Sequence, residues 1–297
     1  MNKLTVSSSP HMHTKASISS IMLDVIIALM PAAFCGIYFF GLRSAAVMTV
    51  TVLSCVLGEA LFELAVKKHV TVSDLSAVVT GLLLGLNLPP SIPLWMAAAG
   101  GFFSIIIVKQ IFGGLGKNFM NPALAGRCFM LRAWTGAMTS FVCPGGVDAV
   151  SSATPLAVMK NASGALPSMS DAFWGSIPGC IGETSAAALI AGFLYLLIRR
   201  VVSARIPLAY ILTFAALTFV FGKNTTDMPQ WEFTVYQVIT GGLLLGAFFM
   251  ATDYTTTPTT PGGMTVFGMG CGILTFVIRR FGGYPEGASF SIILMNI

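Results

Sequence analysis

The chain has 297 residues, of which only 9% are charged and 55% hydrophobic, and its mean hydropathy is +0.84. Soluble domains carry about 25% charged residues, so a water-facing surface is excluded and a polytopic membrane protein is indicated. The formal charge of +5 is no nucleic-acid signature, because the basic residues stand in ones and twos at the ends of apolar runs and form no stripe.

Residues 1–20 are polar, with Lys3, His11, His13 and Lys15, and lack the apolar core and small-residue cleavage site of a secretory signal. They read as an N-terminal segment ahead of a retained first span. The expected fold is all-α, with membrane segments at 21–40, 45–66, 77–88, 94–112, 119–133, 179–199, 206–222, 235–251, 264–281 and 284–297. Segments 77–88 and 119–133 are too short to cross about 30 Å of hydrocarbon at about 1.5 Å per residue, and are expected to be tilted or half-helices. The last segment stops at Asn296-Ile297 inside a short apolar run, which reads as an incomplete C-terminus.

The chain also repeats itself. "TGLLLGL" at 80–86 recurs as "GGLLLGA" at 241–247, and "IFGG" at 111–114 recurs as "RFGG" at 280–283. The second spacing is longer by the Thr/Pro-rich connection "TDYTTTPTTPGG", 252–263. Two membrane units, 21–133 and 179–297, are therefore expected, separated by a polar loop at 134–178. Each unit reads as two long helices, a short one, a long one and another short one. An odd number of crossings inverts the second unit relative to the first, a transporter-like plan with sites near the midplane. The plainer reading is that "GLLLG" is a common membrane phrase.

Lys and Arg set orientation. Lys3, Lys15, Lys67, Lys68, Lys117, Arg199, Arg200 and Arg205 share one side if the N-terminus is cytoplasmic. The loop 134–178 then faces outward with Lys160 alone, as does 223–234; Arg279 and Arg280 fall on the unexpected side. The six cysteines contain no CxxC pair, which argues against zinc or iron–sulfur ligation within the chain. Cys143 and Cys180 could pair across the loop in an oxidising compartment.

Three stretches could carry chemistry. "DAVSSATPL", 148–156, is a turn, a helix start with Ser151 or Thr154 as N-cap and Pro155 at the first position, or a hydroxyl presented for modification. In "GGLGKNFMNPALAG", 113–126, the residue after Lys117 is Asn118, where a P-loop needs Ser or Thr, so nucleotide binding is not expected. Asn118 and Asn121 are instead amide donors and acceptors before a helix that Pro122 opens, or simply its caps. Finally, Asp24, Glu59, Glu63, Glu183 and Asp253 fall within or beside apolar segments, where carboxylates are functional candidates. Glu63 has a plain alternative in an i,i+4 pair with Lys67. Glu59 and Asp253 are the ion-coupling candidates, Asp253 because it opens a hydroxyl-rich run suited to a hard cation.

Asp148, Ser151, Ala153 and Thr154 resemble the recognition sequence of the bacterial flavin transferase, with Ser152 standing where glycine is frequent. Together with "SSPH" (8–11), "IML" (21–23), "GGLGKNFMNPALAG", "TD" (252–253) and "RFGGYPEGASF" (280–290), they give a nearly full-length resemblance to one family. That family comprises the RnfD proteins of the Rnf electron-transport complexes and the NqrB proteins of the sodium-pumping NADH:quinone reductases. The short N-terminus favours the Rnf branch.

The resemblance implies FMN joined through its phosphate to Thr154 and a non-covalent riboflavin near Asn118 and Asn121. It also implies an ion-translocating ferredoxin:NAD+ oxidoreductase in a bacterial inner membrane, moving Na+ or H+. Expected partners are the other iron–sulfur and flavin components of the Rnf complex (its A, B, C, E and G proteins), the flavin transferase and membrane lipid; no nucleic acid is expected. Two rivals stand beside this reading: the quinone-reductase component, and a solute channel of urea-transporter-like fold.

Overall fold

The computed structural model describes residues 17–66, 71–144, 151–161, 166–226 and 228–297. Helix α1 (Ile18–Phe40) starts at Ser17, whose hydroxyl accepts from Ser20 N–H in a reciprocal capping box. It ends at Gly41, whose φ of 73° lets the chain reverse at once into α2 (Leu42–Ala65). Next come α3 (Ser76–Leu86), α4 (Leu94–Gln110, with a π-helical second half) and α5 (Pro122–Ala133). A short α6 (Thr135–Met138) leads to a two-stranded antiparallel hairpin, β1 (Phe141–Val142) against β2 (Ser151–Ser152), then α7 (Pro155–Asn161) and α8 (Met169–Trp174). The remainder is α9 (Ala186–Ile198), α10 (Arg205–Phe221), α11 (Gln230–Ile239), α12 (Leu243–Met250), α13 (Pro261–Phe281) and α14 (Ala288–Asn296).

Three helices, α1, α2 and α13, are long and apolar enough to cross a membrane, and α11 with α12 forms a fourth, broken one. The shorter apolar helices are α3, α4, α9 and α10. Large apolar side chains face outward around this bundle: Leu42 is 84% exposed, Ile198 79% and Phe281 74%. A surface of that kind needs lipid rather than water, and the protein is a multi-pass membrane protein.

Close helix packing relies on small residues, as expected where lipid supplies no hydrophobic drive between helices. A Cβ on Gly81 would lie 2.6 Å from Val52 Cα, so α3 meets α2 backbone to backbone. Gly268 and Gly272 do the same for α13 on α10, facing the carbonyls of Ile206 and Tyr210. Gly192 brings α9 onto α1 at Ala28. The buried core joins all these helices, with Phe193 and Phe248 stacked at 4.2 Å within it.

Two expected segments are corrected. Segment 235–251 is no single helix: α11 and α12 meet at 59°, with Gly241 and Gly242 in left-handed conformation at φ 72° and 69°. The break frees backbone carbonyls, and Arg279 answers them: it donates to the carbonyls of Gln237 at 2.6 Å, Thr240 at 3.2 Å and Gly241 at 3.1 Å. Its guanidinium also lies 4.9 Å from the Phe214 ring centre. Arg279 therefore departs from the Lys/Arg orientation pattern because it is consumed inside the protein. Segment 179–199 becomes helical only at Ala186, so Glu183 sits in an irregular stretch before α9. Cys180 is a buried free thiol rather than half of a disulfide.

Candidate functional site

The polar residues gather in two regions. The first lies at the Ile18 end of α1, around a cavity with about 760 Å³ of empty space. Its polar lining comes from the loop before α5 (Asn118, Asn121), the loop after α12 (Asp253, Thr255) and the facing ends of α3 and α4 (Ser76, Lys109). Asn121 is the N-cap of α5: its Oδ1 accepts from Ala123 N–H at 3.0 Å and Leu124 N–H at 3.3 Å, with Pro122 next. Its Nδ2 donates to Met250 O at 3.3 Å, so its polar atoms are committed to the fold. Asn118 caps nothing. Its Nδ2 donates to Met120 O at 3.1 Å and Thr255 Oγ1 at 3.0 Å, which leaves the amide oxygen for a ligand. Asp253 accepts from Thr255 Oγ1 at 3.0 Å and Thr256 Oγ1 at 3.3 Å.

Behind this cavity lies a buried charge network. Lys109 Nζ is 2.6 Å from Glu59 Oε1, and the two side chains are 2% and 1% exposed. Gln110 Nε2 donates to the same oxygen at 2.6 Å, while Glu59 Oε2 has no partner among the described residues. Glu63 accepts from Thr71 N–H at 2.8 Å and Thr71 Oγ1 at 2.6 Å. Its expected partner Lys67 lies outside the described residues. Asp24 is taken up by Tyr195 OH at 2.8 Å and by Arg199.

The second region lies toward the Phe40 end of α1, where Gly36 meets Ile181. Thr154 caps α7. Its Oγ1 accepts from Ala157 N–H at 3.3 Å, its carbonyl from Val158 N–H at 3.0 Å, and Pro155 follows at the first helical position. Thr154 is 6% exposed and lines a small cavity with Glu183, Gly241 and Glu286. Ala153 beside it is exposed, Ser151 is paired in the hairpin backbone, and Asp148 lies outside the described residues. Next to Thr154, Arg127 of α5 gathers four parts of the chain. It donates to Asn87 O at 3.2 Å, Glu183 Oε1 at 3.3 Å, Ser289 Oγ and Glu286 Oε2. Its Nη2 also lies 3.8 Å from Cys180 Sγ.

The sequence patterns above do not single out Lys109, Arg127 or Glu286. The available signal is a cation within each of the apolar segments 94–112 and 119–133, since a buried Lys or Arg in lipid must have a partner. A search confined to carboxylates passes over it.

The chain matches the NQR2, RnfD, RnfE family over residues 5–297. It is 48% identical over 297 residues to the RnfD-type component (D) of the Na(+)-translocating ferredoxin:NAD(+) oxidoreductase complex of Acetobacterium woodii, covering 99% of this chain and 91% of that protein. It is 42% identical over 311 residues to the corresponding component of the proton-translocating ferredoxin:NAD(+) oxidoreductase complex of Clostridium ljungdahlii, with 99% and 92% covered. Against the corresponding component of the ion-translocating oxidoreductase complex of Escherichia coli strain SE11 the identity is 33% over 334 residues, with 98% and 94% covered. On a match that spans almost every residue, the chain belongs to the NQR2, RnfD, RnfE family.

Proposed function

We propose that this protein is the RnfD-type membrane flavoprotein of an ion-translocating ferredoxin:NAD+ oxidoreductase complex. Electron flow through the complex drives Na+ or H+ across the bacterial inner membrane. FMN is esterified to Thr154, and riboflavin occupies the cavity beside Asn118. The observation that carries the two-flavin reading is the separation of the two regions. The large cavity is lined at Met22 and the Thr154 side is marked by Gly36, about 20 Å apart along α1 at 1.5 Å per residue.

The residues fit the groups. The Thr154 hydroxyl is engaged only by a 3.3 Å contact, while the carbonyl holds the next turn, so esterification leaves the start of α7 in place. In the large cavity an amide oxygen (Asn118), hydroxyls (Thr252, Thr255) and an aromatic wall (Phe249) suit the imide edge and flat face of an isoalloxazine. When bound, flavins exchange one or two electrons; the protein fixes where they stand. Lys109 and Glu59 stand behind one cavity and Arg127, Glu183 and Glu286 beside the other, so each flavin position has charged side chains next to it. With no CxxC pair in the chain, iron–sulfur clusters belong to partner proteins of the complex, as does the reaction with NAD.

The inverted arrangement, with a cytoplasmic N-terminus and Thr154 outside, is supported by two features. Asp24 near the start of α1 is bonded to Arg199 just past the end of α9, so these helices run antiparallel. Arg279, the main exception in the charge pattern, is spent on carbonyls.

The test is ultraviolet fluorescence of the denatured protein on a gel, from a host that has the flavin transferase, with mass spectrometry of the peptide holding Thr154. One FMN minus water on that peptide, lost in Thr154→Ala, is expected. A dark band beside an active transferase, or covalent flavin that persists in Thr154→Ala, overturns the assignment.

A further inference from the structure

A third cavity has no part in the flavin reading. It lies between α7, α10, α11 and α13, opens to the surface, and has about 840 Å³ of empty space. Its chemistry is one-sided. Lys160, Lys223, Arg279 and Arg280 line it, and no carboxylate does among the described residues. The rest of the wall is mainly apolar, from Leu156, Met159, Phe214, Phe233 and Phe276.

Two buried polar atoms of its lining residues have no partner among the described residues: Arg279 Nε and Thr218 Oγ1. Arg279 is 9% exposed and Thr218 4%. Leaving such groups unpaired costs about 1–3 kcal/mol each, more for a charged one. Arg279 spends Nη1 and Nη2 on carbonyls, and Nε is left over. Lys160 is half used, donating to the carbonyls of Gly282 and Tyr284. Lys223 and Arg280 are exposed at the mouth. Near the mouth, α10 and α13 present bare apolar faces: Val220 is 67% exposed, Phe221 64% and Phe281 74%. A cationic pocket with unpaired donors, rimmed by lipid-facing hydrocarbon, matches an amphiphile with an anionic head.

We propose that this cavity seats the phosphate headgroup of an anionic membrane phospholipid. Arg279 Nε and Thr218 Oγ1 meet its phosphate, Lys223 and Arg280 close over it, and its acyl chains lie along α10 and α13. Occupancy pairs both orphaned atoms and places negative charge beside a buried guanidinium. The lipid thereby ties α10 and α13 to α7, the helix that Thr154 caps. The site does not depend on flavin attachment, although Leu156 also lines the small cavity at Thr154.

The experiment uses the intact complex in phosphatidylcholine nanodiscs with a trace of photoactivatable phosphatidylglycerol. Cross-links are expected on peptides holding residues 214–225 and 276–285. Unlabelled phosphatidylglycerol should compete for them and added phosphatidylcholine should not. In the Lys223→Gln/Arg280→Gln double variant, exposed positions that leave the fold intact, labelling should fall at least about fivefold, as expected from two lost charge contacts at about 1 kcal/mol each. Equal labelling by a phosphatidylcholine probe, or labelling unchanged in the double variant, overturns the proposal. So does labelling that appears only in Thr154→Ala, because the cavity would then belong to the group attached to Thr154.

Discussion

Lys109 and Glu59 form an ion pair 2.6 Å long in the membrane interior, yet only one of the two carboxylate oxygens is used. Removing one partner of a buried pair costs about 3–5 kcal/mol, because the other charge is stranded. Lys109→Ala should therefore destabilise the protein by that order. Glu59→Gln/Lys109→Gln, which removes both charges, should cost less than the sum of its single variants. Thermal unfolding of all three variants in detergent, read as a double-mutant cycle, checks this; additive losses would show that the two side chains do not interact.

Arg127 uses all three guanidinium nitrogens on groups from separate parts of the chain. A lysine has one nitrogen and cannot reproduce the fork. Arg127→Lys should lose most of what Arg127→Ala loses, about 3 kcal/mol or more. The loss should appear as loosening of α5 from α14, readable by hydrogen exchange in both helices. Unchanged protection in α14 would count against Arg127 as the joint.

The two asparagines before α5 should separate in their effects. Asn118→Leu should deplete extractable riboflavin several-fold with little loss of stability and no loss of covalent FMN. Asn121→Ala removes a helix cap and should cost about 1 kcal/mol, lowering the melting temperature whether or not riboflavin is present. Flavin extraction with acid, set beside a melting curve, measures both. Unchanged riboflavin in Asn118→Leu moves that site elsewhere.

Gly242 holds a left-handed φ of 69°, and a Cβ there would stand 2.6 Å from Glu183 Oε1. Gly242→Ala should cost about 1–3 kcal/mol for the backbone strain alone, and more through displacement of Glu183 from Arg127. Gly246→Ala, in ordinary helical backbone with its nearest contact at 3.2 Å, should be mild by comparison. Melting temperatures of the two variants decide it; equal losses would mean that the elbow is not specially constrained.

Most of the helices were legible because a bilayer demands long apolar runs. The cap at Thr154 and Pro155 was legible because hydroxyl-then-proline is a local signal. The α11–α12 elbow was not, since residues 235–251 stay apolar through the bend and only Gly241-Gly242 marks it. "GLLLG" shows the limit of a phrase. In α3 its glycines bring two backbones together, whereas in the second copy Gly242 makes a turn. The cavity beside Asn118 joins residues far apart in sequence, Asn118 with Asp253 and Thr255, and only folding brings them together.

The buried pair between α2 and α4 also constrains how the chain enters the bilayer. Lys109 alone at the centre of a lipid-exposed helix would cost about 2.5–3.5 kcal/mol on insertion scales. With Glu59 already waiting in α2, that charge can be neutralised as α4 arrives. The order of synthesis puts the acid first, so α2 can serve as an internal template for the helix made after it. A ribosome-arrested chain ending shortly after residue 110 should consequently insert α4 more completely with Glu59 than with Glu59→Leu.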